Sequence, residues 1–161
     1  MGLTKLTEQQ QKEFQRLSRI YWREARKCES AKAYLAGCVM IGSYLETLLI
    51  TMMDCYSEEA DGTGKAPKDT KPLTRWTLEE LLTVAMAAGW LPENKFGPHV
   101  EFARKIRNFV HPGRYGMEHP RGRITHKWFE TQFEIASACR GWLAHHNNES
   151  LFKLMKDDGL L

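Results

Sequence analysis

A chain of 161 residues with 42% apolar content has the length of one compact domain and can bury a core without disulfides or metal. Its 23 basic and 20 acidic residues leave a net charge of +3, too small by itself to mark a nucleic-acid or membrane-surface protein. Cys28, Cys38, Cys55 and Cys139 form neither a Cys-x-x-Cys pair nor a Cys/His metal spacing, so reduced thiols are expected.

Met1 to Gln15 is polar and lacks the apolar centre of a secretory signal, and no run is read as reaching the roughly 20 apolar residues of a bilayer span. A soluble cytoplasmic protein with no membrane contact is expected. Thr7-Glu8-Gln9-Gln10 fits a capping box, and Phe14, Leu17, Ile20 and Tyr21 follow at helical spacing, predicting an amphipathic helix from about Glu8 to Lys27. From about Glu29 to Tyr56 the pattern is denser, with Leu35, Cys38, Gly42, Leu45, Leu49 and Met52 alternating steps of three and four. This predicts the most buried helix of the fold. Glu46 interrupts its apolar run, and an ionised carboxylate there is expensive to bury unless it is paired.

Ser57 to Thr74 is rich in Gly, Pro, Lys, Asp and Thr and reads as a mobile connection within a single domain spanning residues 1–161. Thr77-Leu78-Glu79-Glu80 is a second capping box, opening a short helix through Leu81, Leu82, Ala85 and Met86 that Gly89 closes. Leu91 to Gly97 reads as a turn. Pro98 suits the first turn of a helix that runs to about Val110, before Pro112 forbids continuation. Gly113 to Arg123 reads as a loop, and Thr125 begins a long helix carrying Trp128, Phe129, Phe133, Ile135, Cys139 and Trp142. A short terminal helix around Leu151 to Met155 is expected after it, with His145, His146, Asn147 and Asn148 at the intervening helix end. No period-two segment, internal repeat or Gly-rich phosphate loop is present. The pattern predicts an all-α bundle of about five helices, two of them long and N-terminal.

The chemistry concentrates in Arg104-Lys105-Ile106-Arg107-Asn108-Phe109-Val110-His111-Pro112. Arg104, Arg107, Asn108 and His111 follow the i, i+3, i+4, i+7 spacing of one helical face, beside an apolar stripe of Ile106, Phe109 and Val110. Two guanidiniums and an amide can grip a phosphate, and the imidazole can gain or lose a proton near neutral pH. The same spacing also suits a solvated basic face that ends in a His favoured by the helix dipole. Around it, Arg104, Lys105, Arg107, Arg114, Arg121, Arg123 and Lys127 lie in a stretch whose only acid is Glu118, which would draw an acidic ligand. Arg114 and Tyr115 follow the motif closely enough to contact a phosphate or stack on a base, with Arg121, Arg123 and Lys127 adding positive charge. His119 and His126 are weaker RNA-contact candidates, and the five tryptophans suit core or dimer packing.

The helix carrying Gly42-Ser43-Tyr44-Leu45-Glu46, followed by a later helix carrying Arg-x-x-Arg-Asn-Phe-Val-His-Pro, resembles the HEPN superfamily, the higher eukaryote and prokaryote nucleotide-binding domains. Many members are metal-independent endoribonucleases whose motif is an Arg and a His separated by four to six residues, the Arg often followed directly by a polar residue such as Asn. Two subunits commonly bring their motifs together across a dimer interface. Here only Phe109 and Val110 separate Asn108 from His111, and Arg104, at the longer spacing, is followed by Lys105.

The resemblance implies a homodimer acting on RNA, as a toxin or defence component with an antitoxin or other protein partner. His111 would then exchange the proton of the ribose 2′-hydroxyl or of the leaving oxygen, Arg104 and Arg107 would stabilise phosphoryl charge, and Asn108 would orient either group. Glu46 would pair with one of the arginines, since an acid on this helix often faces the Arg/His helix in the family. No cofactor is expected, because the sequence offers no carboxylate cluster for magnesium and no Cys/His set for zinc. Two other readings stand beside this one: a catalytically silent domain that binds nucleotide, RNA or a protein, and a helical interaction module with no ligand.

Overall fold

The computed structural model describes residue 3 and residues 5–68, 71–97 and 124–157. Among them the helices are α1 (Glu8–Ser30), α2 (Tyr34–Cys55), α3 (Ser57–Gly62), α4 (Leu78–Ala87) and α5 (His126–Asp157). A 3-10 turn forms at Leu73–Arg75, residues 93–97 are helical, and no strand occurs among the described residues. The protein is an all-α bundle with two long N-terminal helices.

The capping box at α1 forms as its sequence demands: the Thr7 hydroxyl accepts the Gln10 N–H at 3.2 Å, and the Gln10 side chain accepts the Thr7 N–H at 2.9 Å. α1 ends where Lys32 takes the left-handed conformation at φ 57°. That turn lets the Ala33 N–H reach the Cys28 carbonyl at 2.8 Å and the Lys32 N–H reach Glu29 at 2.9 Å, satisfying two end carbonyls. The reversal lays α2 against α1. Asp54, buried near the end of α2, fixes the start of α1 by accepting the Leu6 N–H and the Gln11 amide, both at 2.7 Å.

α2 is the centre of the bundle, packed on α1, α4 and α5. Ile41, Leu45, Leu49 and Met53 at its heart meet Leu81 and Val84 of α4 and Phe129 and Leu143 of α5. It is also long and apolar enough to cross a bilayer, which corrects the expectation that no run reaches that length. More than half of it is buried inside the protein, as befits a core helix. Gly37 permits the closest approach to α5, since a Cβ there would lie 2.7 Å from Cε2 of the fully buried Phe129 ring.

Three segments differ from their sequence reading. Ser57–Gly62 within the expected connection is helical, because Ala60 and, further on, Leu73 and Trp76 reach the core from an otherwise polar stretch. Within Leu91 to Gly97, read as a turn, residues 93–97 are helical, with the Pro92 carbonyl accepting the Phe96 N–H at 3.0 Å and Phe96 buried. Finally, α5 is one helix of 32 residues that contains Leu151 to Met155. Asn147-Asn148-Glu149-Ser150 holds neither Gly nor Pro, so nothing there interrupts the backbone ladder. His145 and His146 accordingly lie inside a helix and not at its end.

The α4 prediction holds in detail. Glu80 accepts the Thr77 N–H at 2.6 Å while the Thr77 hydroxyl accepts the Glu80 N–H at 3.2 Å, and Lys71 pairs with the same carboxylate at 2.9 Å. Gly89 at φ 77° turns the chain, delivering the Trp90 N–H to the Ala85 carbonyl at 3.0 Å.

Candidate functional site

Arg104, Arg107, Asn108, His111, Arg114, Tyr115, Arg121 and Arg123 lie outside the described residues. Of the predicted site, Glu46 and Lys127 are described, on α2 and in the first turn of α5, two helices that pack together. Lys127 is exposed. Glu46 is half-buried, its Oε1 is closed off from solvent, and it is not a free carboxylate.

One turn before Glu46, Gly42 faces α5 where Gln132 is 1% exposed. Neither amide atom of Gln132 has a hydrogen-bond partner among the described residues, a cost of about 1–3 kcal/mol for a buried polar group. Gln132 is thus a polar side chain of α5 buried near Gly42 of α2, and the sequence pattern does not expose it as it exposes Glu46. Gln132 hides on the same stripe as Phe129, Ala136 and Cys139, where the apolar period makes a single amide easy to pass over.

Other chemistry-bearing side chains are engaged in packing. His126 lies between Glu29 at 3.2 Å and Glu130 at 3.8 Å, its ring 5.3 Å from Tyr34. His146 sits against Tyr56 and Trp90 at 4.9 and 5.7 Å, with Nε2 3.2 Å from Glu59. The same Glu59 oxygen accepts the Trp90 indole N–H at 2.7 Å, while the Tyr56 hydroxyl donates to Asn147 Oδ1 at 2.6 Å. This cluster ties α3 and the α4 exit to α5. The four cysteines are free thiols, and burial pushes those of Cys38 and Cys139 up to about 12, far from nucleophilic range. No group of three or more His, Cys, Asp or Glu side chains suited to a metal ion occurs among the described residues.

A recess of about 210 Å³ opens between α1, α2 and α5. Leu48, Met52 and Leu143 form its apolar part, and Gln15, Ser18, Arg140 and Asn147 its polar part. Above it Arg140 lies over the Trp22 ring, 5.1 Å from the centroid, with its charge near the buried Tyr44 phenol. Burial raises the Tyr44 phenol despite the opposing pull of that guanidinium. Comparison of the chain with models of protein families, with curated proteins and with solved structures gives no match.

Proposed function

We propose that this protein is a HEPN-like, metal-independent endoribonuclease that acts in the cytoplasm as a homodimer, as a toxin or defence component. The observation that carries the reading is the spacing of Arg104, Arg107, Asn108 and His111 on one predicted helical face, within an all-α bundle whose long second helix holds the half-buried Glu46. In this account His111 moves the proton of the attacking 2′-hydroxyl or of the leaving 5′-oxygen. Arg104 and Arg107 neutralise charge growing on the phosphoryl oxygens, Asn108 orients the imidazole or the phosphate, and Glu46 orients an arginine. Arg114, Tyr115, Arg121, Arg123 and Lys127 guide the strand to the cleft.

The test is gel-resolved cleavage of a mixed RNA pool in EDTA by wild type and by His111→Ala, with the variant's fold checked by circular dichroism. The expected result is cleavage by wild type alone; equal cleavage by both proteins, or by neither, refutes the catalytic assignment. The two-residue gap between Asn108 and His111 favours a second reading, in which the same cluster is a silent anion site for nucleotide, RNA or a protein partner. That reading predicts binding that needs Arg104 and Arg107 but no turnover.

A further inference from the structure

The outward face of α1 carries Lys12, Arg16, Arg19, Arg23 and Arg26, spaced four, three, four and three residues apart, so five exposed cations form one stripe along the helix. Lys12, Arg16 and Arg26 are held by Glu8, Glu13 and Glu29 at 2.6, 2.6 and 2.9 Å, and Arg23 lies 3.8 Å from Glu24. Exposed pairs of this kind contribute little and exchange readily for another anion. Arg19 on α1 and Arg140 on α5 have no carboxylate partner among the described residues.

The stripe borders a groove. α5 runs antiparallel to α1, as its neighbours in order show: Arg26 lies over the Phe133 ring at 5.0 Å, Trp22 meets Phe133 at 4.6 Å, Arg140 covers Trp22, and Gln15 and Ser18 share the recess with Asn147. Both helices rest on α2, and between them the Trp22 ring of α1 meets Tyr44 of α2 at 4.7 Å and Phe133 of α5 at 4.6 Å. Two guanidiniums are therefore fixed over aromatic faces, and the recess beside Arg140 has an apolar floor with amide groups at its edge. Asn147 Oδ1 accepts from the Tyr56 hydroxyl, and its N–H₂ has no partner among the described residues.

The geometry points to the α1–α5 groove as a binding track for single-stranded RNA, with phosphates on Arg19, Arg26 and Arg140 and one base in the recess between Gln15 and Asn147. Basic grooves interleaved with aromatic rings hold unpaired strands in this way, and a guanidinium plane lying on a ring offers a base a surface to stack on. The inference rests on the proposed RNA substrate and assigns it a second contact surface, built from residues of α1 and α5 that are not part of the Arg104–His111 motif.

The test is fluorescence anisotropy with a 5′-fluorescein, mixed-sequence 12-mer of 2′-O-methyl RNA, which cannot be cleaved through its 2′-oxygen, titrated with wild type, Arg19→Gln and the Arg19→Gln/Arg140→Gln double variant over about 50 to 200 mM salt. Arg19 is exposed, so the single variant keeps the fold even if the double one loses it. Removing one arginine–phosphate pair should lower the slope of log affinity against log salt by about 0.7, and the double variant should bind about tenfold more weakly at low salt. No binding by wild type, or wild-type affinity and slope in Arg19→Gln, overturns the groove. Wild-type cleavage of ordinary RNA alongside either of those results would leave the ribonuclease reading standing without it. Conversely, arginine-dependent binding without any cleavage keeps the groove and removes the enzyme. Binding of a fluorescent poly-glutamate peptide in preference to the RNA overturns the proposal in favour of an acidic protein partner.

Discussion

Asp54 shows how one buried side chain sets the position of a whole helix. Its two oxygens take the Leu6 N–H and the Gln11 amide, so truncating it orphans a buried backbone donor and releases the start of α1. Asp54→Ala should lower stability by about 2–3 kcal/mol, read as a shift of the urea midpoint without a change in slope. A loss under about 0.5 kcal/mol would show that the N-terminal segment is anchored elsewhere. At this scale the sequence is least informative. Asp54 falls near the end of an apolar run with nothing to mark its partners 43 and 48 residues away. Gln132 likewise sits unannounced on the core stripe of α5. Glu46 is readable because it stands alone in an otherwise apolar stretch.

At the scale of elements, local chemistry and tertiary contact divide the outcome. Both capping boxes form as written, because a Thr and an acid or amide three residues on satisfy each other within one turn. Glu80 gives this a pH signature: burial raises its carboxyl, but the Thr77 N–H, Lys71 and the Thr77 hydroxyl outweigh that and hold it below its ordinary value. A carboxyl depressed in the folded state contributes stability that is present above its unfolded value of about 4.3 and lost as pH falls through the lower folded value. Glu80→Gln should therefore flatten the acid limb of the Tm-against-pH curve below about pH 4 while leaving its shape near neutrality unchanged. An unaltered acid limb would contradict this role for Glu80.

The α2–α5 crossing depends instead on a residue with no periodic signal. Gly37→Ala places a methyl group against a ring that has no room to move, and should cost about 1–3 kcal/mol despite the better helix propensity of alanine. A more stable Gly37→Ala protein would mean that the two helices part without penalty. The helix at Ser57–Gly62 escaped composition for a related reason: Ala60 supplies its contact with the core, and a lone alanine carries no pattern.

For the whole molecule, the all-α class followed from apolar periods of three and four and the absence of any alternating segment. The length of α5 did not, because polar residues 147–150 mimic a break that only Gly or Pro would enforce. The proposed catalytic cluster rests on a spacing visible in the sequence, and the basic groove on helices that only the fold brings side by side. Joined, the two proposals are of a protein that would hold an unpaired RNA strand between α1 and α5 and cut it at the Arg/His cluster. Attack by the ribose 2′-hydroxyl is the step on which this mechanism depends, and incubating wild type in EDTA with a mixed RNA pool and with the same pool fully 2′-O-methylated isolates it. Only the first pool should be cut, leaving 2′,3′-cyclic phosphate ends; cleavage of both pools, or of neither, would overturn the mechanism.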